Sequence, residues 1–180
     1  MICKAENIFK YCPKCGEQNF LLLPKEGAFR CGACKFCYYL NAAAAVAALI
    51  VDENKNLLVV ERGREPAKGM LDLPGGFVDI GERAEDALQR EIREELNLEI
   101  KQFSLLTTFP NDYPYGDMVY FTLDLAFVCQ VRDFSKIRTA DDVSGHQFIP
   151  LHEIDLDLFG FESVKKIIEY FKNSSTLQVS

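Results

Sequence analysis

Three glutamates on one predicted helix are the residues in this chain best suited to chemistry. Glu91, Glu94 and Glu95 stand at i, i+3 and i+4 within the segment Ala84 to Leu96, whose apolar residues recur with helical periodicity. On a helical wheel the acids border the apolar stripe, and Glu95 lies just inside its edge. Like charges at this spacing need a neutralising cation, and carboxylate oxygens favour Mg²⁺ or Mn²⁺. The pattern predicts a divalent metal site that polarises a phosphoryl group and activates water.

The residues around this helix make the pattern specific, because a charged run alone is ordinarily a solvated face. A glycine turn ends in Gly76, Glu82 follows six residues later, and Arg90 directly precedes the acids. Residues 76 to 98 match, at eight of nine fixed positions, the box G-x5-E-x7-R-E-U-x-E-E-x-G-U, where U is a bulky aliphatic residue. The ninth position is Asn97 instead of glycine, and asparagine also tolerates a left-handed helix end. The segment therefore resembles the Nudix pyrophosphohydrolases.

That resemblance implies a hydrolase that cleaves the diphosphate of a nucleoside diphosphate linked to another moiety, with Mg²⁺ or Mn²⁺ as cofactor. The metal ligands that it implies are the carbonyl of Gly76 and the carboxylates of Glu91, Glu94 and Glu95. Glu91 and Glu95 are the main ligands in this pattern, and Glu94 is either a further ligand or the base for the attacking water. Arg90 and Glu82 complete the catalytic set by orienting the helix and the preceding loop through an ion pair.

Four cysteines near the N-terminus form a second constellation. Their spacing is C-x2-C-x15-C-x2-C, and they are Cys12, Cys15, Cys31 and Cys34. Two-residue spacers let both thiolates of a pair face one ion, and the glycines after Cys15 and Cys31 relieve the turns, so we expect a closed, structural Zn²⁺ site. Cys37 is a competing ligand, and four reduced cysteines sharing a short stretch are the simpler alternative.

A zinc ribbon in front of a Nudix box resembles the arrangement of the NADH pyrophosphatase group. The downstream signature of that group, S-Q-P-W-P-F-P-x-S, is missing, and the segment Thr107 to Tyr115 stands in its place. The residues that separate enzymes for ADP-ribose from those for dinucleoside polyphosphates are also mixed in this segment. ADP-ribose, NADH or a similar dinucleotide therefore all remain candidate substrates.

Candidate substrate contacts flank the box. They are Arg62 and Arg64 for phosphate and Tyr113 and Tyr115 for a base. Ordinary solvation of the arginines and ordinary packing of the tyrosines are the alternatives. Asp141 and Asp142 stand where many Nudix enzymes place a late acid that assists the metal or the base.

Hydrophobic patterning predicts the elements that position these residues. Ala42 to Val51 and Leu57 to Arg62 are apolar runs separated by a polar turn, which predicts a buried hairpin. Pro110 to Gly116 is predicted to be a loop between two strands. The other predicted elements are strands at Phe20 to Leu23, Phe103 to Thr108, Met118 to Gln130 and Gly145 to Pro150, and an amphipathic helix from Ser163 to Phe171.

These elements predict an α/β fold, a Nudix-type α/β/α sandwich with a mixed sheet, preceded by a small zinc ribbon. We expect the ribbon to occupy residues 1–40, the Nudix domain residues 41–172 and a flexible tail residues 173–180. Reduced cysteines in metal-type spacing, without a signal segment, favour a cytoplasmic protein.

The partners expected from the sequence are small molecules. Residues 1–40 carry six Lys/Arg and three Asp/Glu, whereas the whole chain has a formal net charge of −7, which argues against non-specific nucleic-acid binding by the main domain. No membrane partner is expected, and a homodimer is compatible with the sequence. The alternative function is a catalytically idle Nudix-fold ligand sensor whose zinc ribbon binds nucleic acid or protein.

Overall fold

A computed structural model describes residues 9–18, 20–116 and 118–174 of the 180-residue chain. It contains ten strands and two α-helices. The strands are β1 (Phe20–Leu23), β2 (Ala28–Cys31), β3 (Cys37–Tyr39), β4 (Ala43–Ile50), β5 (Asn56–Arg62), β6 (Leu71–Asp72), β7 (Gly75–Phe77), β8 (Ile100–Tyr115), β9 (Met118–Val131) and β10 (Val143–Pro150). The helices are α1 (Ala84–Leu96) and α2 (Glu162–Asn173), and a 3-10 turn covers Leu156–Leu158.

The chain divides into two compact units. The first comprises residues up to Ala42 together with Asp112–Phe121, and the second comprises Ala43–Asn111 and the residues from Thr122 onward. In the first unit, β1, β2 and β3 form an antiparallel sheet that packs a small aromatic core against two of the cysteines. Domains with so small a core usually need a bound metal, disulfides or oligomerisation for stability.

The second unit is built on two sheets. One is mixed and has the order β7-β4-β9-β8, with β4 antiparallel to β7 and parallel to β9. The other is antiparallel and has the order β10-β5-β6. Residues Val46, Ala48 and Ile50 of β4 alternate toward a core that also contains the apolar stripe of α1.

The two helices cover opposite faces of the mixed sheet. Phe127 and Cys129 of β9 join the core beneath α1. Asp124 faces the other side by strand alternation, and the Ser163 hydroxyl at the start of α2 donates to its carboxylate at 2.5 Å. This arrangement is the predicted α/β/α sandwich with a mixed sheet. No helix in the described ranges is long and apolar enough to cross a membrane.

The predicted hairpin of β4 and β5 is wrong, although both strands are present. The two strands belong to different sheets, and only an isolated bridge between Val51 and Leu57 connects their ends. The polar turn between them, in which the Asp52 carboxylate accepts from the amides of Asn54 and Asn56, carries the chain from one sheet to the other. Apolar runs and a turn indicate two strands but do not identify the neighbour of each.

The predicted loop from Pro110 to Gly116 is also wrong. Strand β8 continues to Tyr115, and only Gly116, at φ 58°, and the undescribed residue 117 separate it from β9. Prolines at 110 and 114 stand on β8, which lies at the edge of its sheet, and edge strands are where proline is tolerated within sheets. The predicted tail, residues 173–180, lies outside the described residues from position 175 onward.

Helix α1 has its C-cap at Asn97, the asparagine that replaces the glycine of the box motif. Asn97 adopts a left-handed conformation at φ 53° and ψ 34°, and its backbone N–H donates to the carbonyls of Arg93 and Ile92. Its side-chain amide also donates to the Lys136 carbonyl at 3.0 Å. Asparagine therefore fills the usual glycine position and adds one hydrogen bond.

We expect Asn97→Ala to lower the free energy of unfolding by about 1–2 kcal/mol, because alanine is strained in the left-handed region. Asn97→Gly should stay within about 0.5 kcal/mol of the wild-type protein, since glycine adopts this conformation freely. Urea denaturation measures both. Equal losses in the two variants would show that the amide contact with Lys136, rather than backbone conformation, sets the requirement.

Candidate active site

Glu95 is the most buried acid of α1. Its residue is only 6% exposed, and its carboxylate accepts the Gly75 backbone N–H at 2.9 Å. Burial raises the pKa of Glu95 to about 8, although the bond from Gly75 opposes this shift. A carboxylate held in this environment is stabilised by any cation that reaches it.

Glu91 lies one helical turn earlier, against the glycine turn. A Cβ added to Gly76 would lie 2.6 Å from the Glu91 carboxyl carbon, so only glycine leaves room for this approach. Burial, followed by repulsion from Glu94 and Asp141, raises the pKa of Glu91 against the opposing effect of Arg90. The close approach places the Gly76 backbone beside the Glu91 carboxylate.

Gly75, the preceding glycine, is required for a different reason. It has φ 146°, and a Cβ there would lie 2.1 Å from the Val46 carbonyl oxygen. Its role in presenting an N–H to Glu95 was not recognised from the sequence, although the glycine doublet was the available signal. The two glycines thus serve separate acids.

Arg90 connects the loop to the helix. Its guanidinium donates to both carboxylate oxygens of Glu82, at 2.9 and 2.8 Å, and to the Phe77 carbonyl at 3.0 Å. It also contacts Glu91 at 2.7 Å and Glu94 at 3.2 Å. The hydrogen bonds from Arg90 lower the pKa of Glu82 to about 2. The expected ion pair between Arg90 and Glu82 is present, and it fixes the loop on the helix.

Asp141 and Asp142 face this acidic cluster from the loop before β10. Asp141 contributes repulsion to Glu91, and Asp142 contributes repulsion to Glu95. The Arg64 guanidinium pairs with both acids, at 3.6 Å to Asp141 and 2.5 Å to Asp142. The structure therefore brings the late acids and one predicted phosphate contact together beside α1.

Arg62 has a different environment from Arg64. Its guanidinium pairs with the largely buried Asp72 at 2.8 Å, donates to the Pro66 carbonyl at 2.7 Å and lies 4.8 Å above the Phe161 ring. Asp72, whose pKa burial raises to about 6, was not singled out from the sequence. These contacts fasten the loop after β5 to β6 and to the start of α2.

The two candidate tyrosines belong to the first compact unit of the chain. Tyr113 and Tyr115 lie near the end of β8, in the first unit. Tyr115 is 58% exposed and makes an edge contact with Tyr120, which belongs to the same unit. The acidic cluster described above consists only of residues from the second unit.

The four predicted cysteines converge in the first unit. The thiols of Cys12, Cys15, Cys31 and Cys34 lie within 4.8 Å of one another. In the described part of the chain, no other three His, Cys, Asp or Glu side chains bring their ligand atoms as close together. Hydrogen bonding from the Cys34 amide lowers the pKa of Cys31 to about 7, which favours the thiolate that binds metal. Cys37 lies on β3, outside this group.

One detail of the cysteine turns differs from the expectation. Gly16, after Cys15, has a positive φ of 75° as expected. In the second turn the residue with positive φ is Lys35, at 61°, rather than Gly32. The Lys35 ammonium donates to the Gly32 carbonyl at 2.6 Å, which stabilises this turn from outside.

The acidic cluster suits a hard divalent cation, although its carboxylates are less tightly grouped than the thiols. Arg90 bonds to Glu91 and Glu94, and Glu95 receives one backbone N–H. Oxygen donors that differ in burial, beside a glycine whose missing Cβ leaves space, match the requirements of Mg²⁺ or Mn²⁺. The residues present therefore fit the implied metal.

Comparison with known proteins decides the family. The NUDIX domain model matches residues 41–171. The chain belongs to the Nudix family. An ADP-ribose pyrophosphatase from Methanocaldococcus jannaschii is 34% identical over 77% of this chain and 80% of its own length. The present chain is therefore a hydrolase of the Nudix family.

Other Nudix relatives are more distant or longer. The NAD-capped RNA hydrolase NudC of Vibrio atlanticus is 27% identical over 73% of this chain, but the match spans only 48% of NudC. A Nudix hydrolase structure from Nitrosomonas europaea superposes with a TM-score of 0.68, covering 94% of each chain at 20% identity. This structural match supports the fold alone.

The contrast between the two glycines gives a test of the Nudix site. We expect Gly76→Ala to displace the flexible Glu91 carboxylate, leave the melting temperature nearly unchanged and lower Mn²⁺ affinity at least about tenfold. Gly75→Ala should instead lower the melting temperature strongly, because its Cβ meets backbone. Calorimetric Mn²⁺ titration and thermal denaturation measure the two effects. Unchanged Mn²⁺ affinity in Gly76→Ala would contradict the expectation that the Glu91 carboxylate must lie against Gly76 to bind the metal.

Proposed function

We propose that this Nudix hydrolase is a Mg²⁺- or Mn²⁺-dependent pyrophosphohydrolase that cleaves the diphosphate of ADP-ribose, NADH or a similar dinucleotide. The observation that carries the proposal is Glu95, buried and bonded to the Gly75 amide, with Glu91 against Gly76. The ADP-ribose pyrophosphatase relative, which the chain matches over most of both lengths, supports ADP-ribose as the first substrate to test. NudC supports a nicotinamide dinucleotide as the second.

In this proposal the metal is held by Glu91, Glu95 and the Gly76 carbonyl, and Glu94 is either a further ligand or the base for the attacking water. When bound, it neutralises the diphosphate and lowers the pKa of water. Glu94, whose side chain is 49% exposed, is the acid best placed to accept a proton from an attacking water. Arg90 keeps Glu91 and Glu94 in place and is itself anchored to Glu82.

We further propose that Arg64 binds a substrate phosphate, whereas Arg62 positions the loop that carries Arg64. The closed contacts of Arg62 with Asp72 and Phe161 support a positioning role. Tyr113 and Tyr115 stay candidates for contact with a base. The ribbon is proposed to be residues 1–40, with structural Zn²⁺, and the hydrolase domain residues 41–172.

The decisive experiment is a screen of ADP-ribose, NADH, dinucleoside polyphosphates and nucleotide sugars with Mg²⁺, with the products identified. Water attack on one phosphorus of ADP-ribose must give AMP and ribose 5-phosphate. Turnover of ADP-ribose or NADH to two monophosphates supports the proposal. Binding of these compounds without any hydrolysis would support the ligand-sensor alternative instead.

A further inference from the structure

Arg64 occupies an unusual position for a phosphate-binding residue, because its guanidinium already bridges two carboxylates. Asp141 and Asp142 are its partners, and their side chains, like that of Arg64, are more than half exposed. Exposed ion pairs of this kind are weak, because water screens the charges and pairing restricts two long side chains. The ion pair therefore keeps the Arg64 guanidinium beside the two aspartates but can be broken readily.

The backbone keeps the two loops together independently of this ion pair. The Gly63 N–H donates to the Asp142 carbonyl at 2.7 Å, and a Cβ at Gly63 would lie 2.9 Å from that oxygen. Arg62 fixes the other side of Gly63 through its bonds to Asp72 and Pro66. The Arg64 side chain is thus free to change partner while its Cα stays beside the acids.

The acids bridged by Arg64 border the proposed metal ligands. The backbone N–H of Ala140, the residue before Asp141, donates to the Glu95 carbonyl at 2.9 Å, which holds the two aspartates beside the helix that carries Glu91 and Glu95. Asp141 repels Glu91 and Asp142 repels Glu95. A cation of charge two entering this acidic cluster neutralises the acids more effectively than one half-exposed guanidinium. A diphosphate arriving with that cation offers the guanidinium a bidentate anionic partner.

We infer that Arg64 is an exchangeable internal counter-ion: it pairs with Asp141 and Asp142 before divalent cations enter the acidic cluster, and it transfers to a substrate phosphate afterwards. The inference rests on the proposed function for its second half only. Its first half concerns cation binding alone. The exchange makes metal and substrate binding sequential, since cation entry releases the residue that the diphosphate needs.

The test compares Arg64→Gln with Arg93→Gln, a matched loss of one positive charge on the exposed side of α1. We expect Arg64→Gln to bind Mn²⁺ about two- to fivefold more tightly than the wild-type protein, because a competing cation is removed. Binding of the non-hydrolysable α,β-methylene ADP-ribose with Mg²⁺ should weaken about tenfold or more. Arg93→Gln should change neither constant by as much. Calorimetric titration measures both.

Each outcome decides one part of the inference. Unchanged or weaker Mn²⁺ binding in Arg64→Gln overturns the counter-ion role. Tighter Mn²⁺ binding with unchanged analogue affinity, or an analogue that fails to bind the wild-type protein, overturns the transfer to phosphate. Tighter Mn²⁺ binding in a protein that hydrolyses no diphosphate supports the counter-ion role while rejecting the proposed function, so the two failures are distinguishable.

Discussion

Glu95→Gln is expected to lower kcat/KM for the best diphosphate substrate by at least about a hundredfold, because the variant loses a buried negative charge at the proposed metal site. Metal stabilisation of transition-state charge contributes several kcal/mol, and each 1.36 kcal/mol is a factor of ten. Steady-state kinetics with Mg²⁺ measures the loss. Asp86→Asn, an exposed neutralisation on the same helix, is the matched control and should retain full activity.

The fold should survive the Glu95 substitution, since glutamine can still accept the Gly75 N–H. Burial raises the pKa of Glu95 to about 8 in the folded protein, above the ordinary value of 4.5. Ionising this acid therefore destabilises the metal-free fold as pH rises from 4.5 through 8. In EDTA, Glu95→Gln should melt no lower than the wild-type protein at pH 8. A large drop in melting temperature would mean that lost activity reports unfolding instead.

Cys31→Ser is expected to abolish stoichiometric zinc binding and unfold the three-stranded sheet of the first unit. Cys31 is fully buried, and its thiol lies 3.6 Å from that of Cys15. Structural zinc sites supply on the order of 10 kcal/mol or more in small domains, far above what this aromatic cluster can replace. Metal analysis should fall from one zinc per chain to none. Hydrogen exchange should show lost protection in β1, β2 and β3.

Cys37→Ser provides the control for that experiment, because Cys37 belongs to the same unit but lies outside the group of four thiols. It should keep one zinc per chain and normal exchange protection. Helix α1 should stay protected in both variants, since its stripe packs in a separate core. Loss of zinc in Cys37→Ser, with retention in Cys31→Ser, would reassign the ligand set.

The local features of this protein could be predicted from sequence where one short segment contains the whole signal. The bounds of α1, the burial of Glu95 and the left-handed Asn97 all follow from helical periodicity and one end residue. The box motif likewise predicted the ion pair between Arg90 and Glu82. Four cysteines with ribbon spacing predicted their own convergence for the same reason.

Features that depend on distant partners could not be predicted in this way. The sequence indicates that β4 and β5 are strands, but their assignment to different sheets depends on β7, β9 and β10. The roles of Arg62 and Arg64 were indistinguishable because both stand in one polar segment. Only the folded chain shows that Arg62 pairs with the largely buried Asp72, whereas Arg64 pairs with exposed acids.

Backbone atoms of the segment between β9 and β10 form hydrogen bonds with the end of α1 and the residues just after it. The amides of Arg132, Arg138 and Ala140 donate to the carbonyls of Glu99, Leu96 and Glu95, and the Lys136 carbonyl accepts from Asn97. Phe134 and Ile137 add side-chain packing against the core, whereas the exposed side chains of this segment are not needed for these backbone bonds. Exposed residues beside the acidic cluster can therefore be substituted during evolution, and substrate preference can change, without a change in the backbone of the segment.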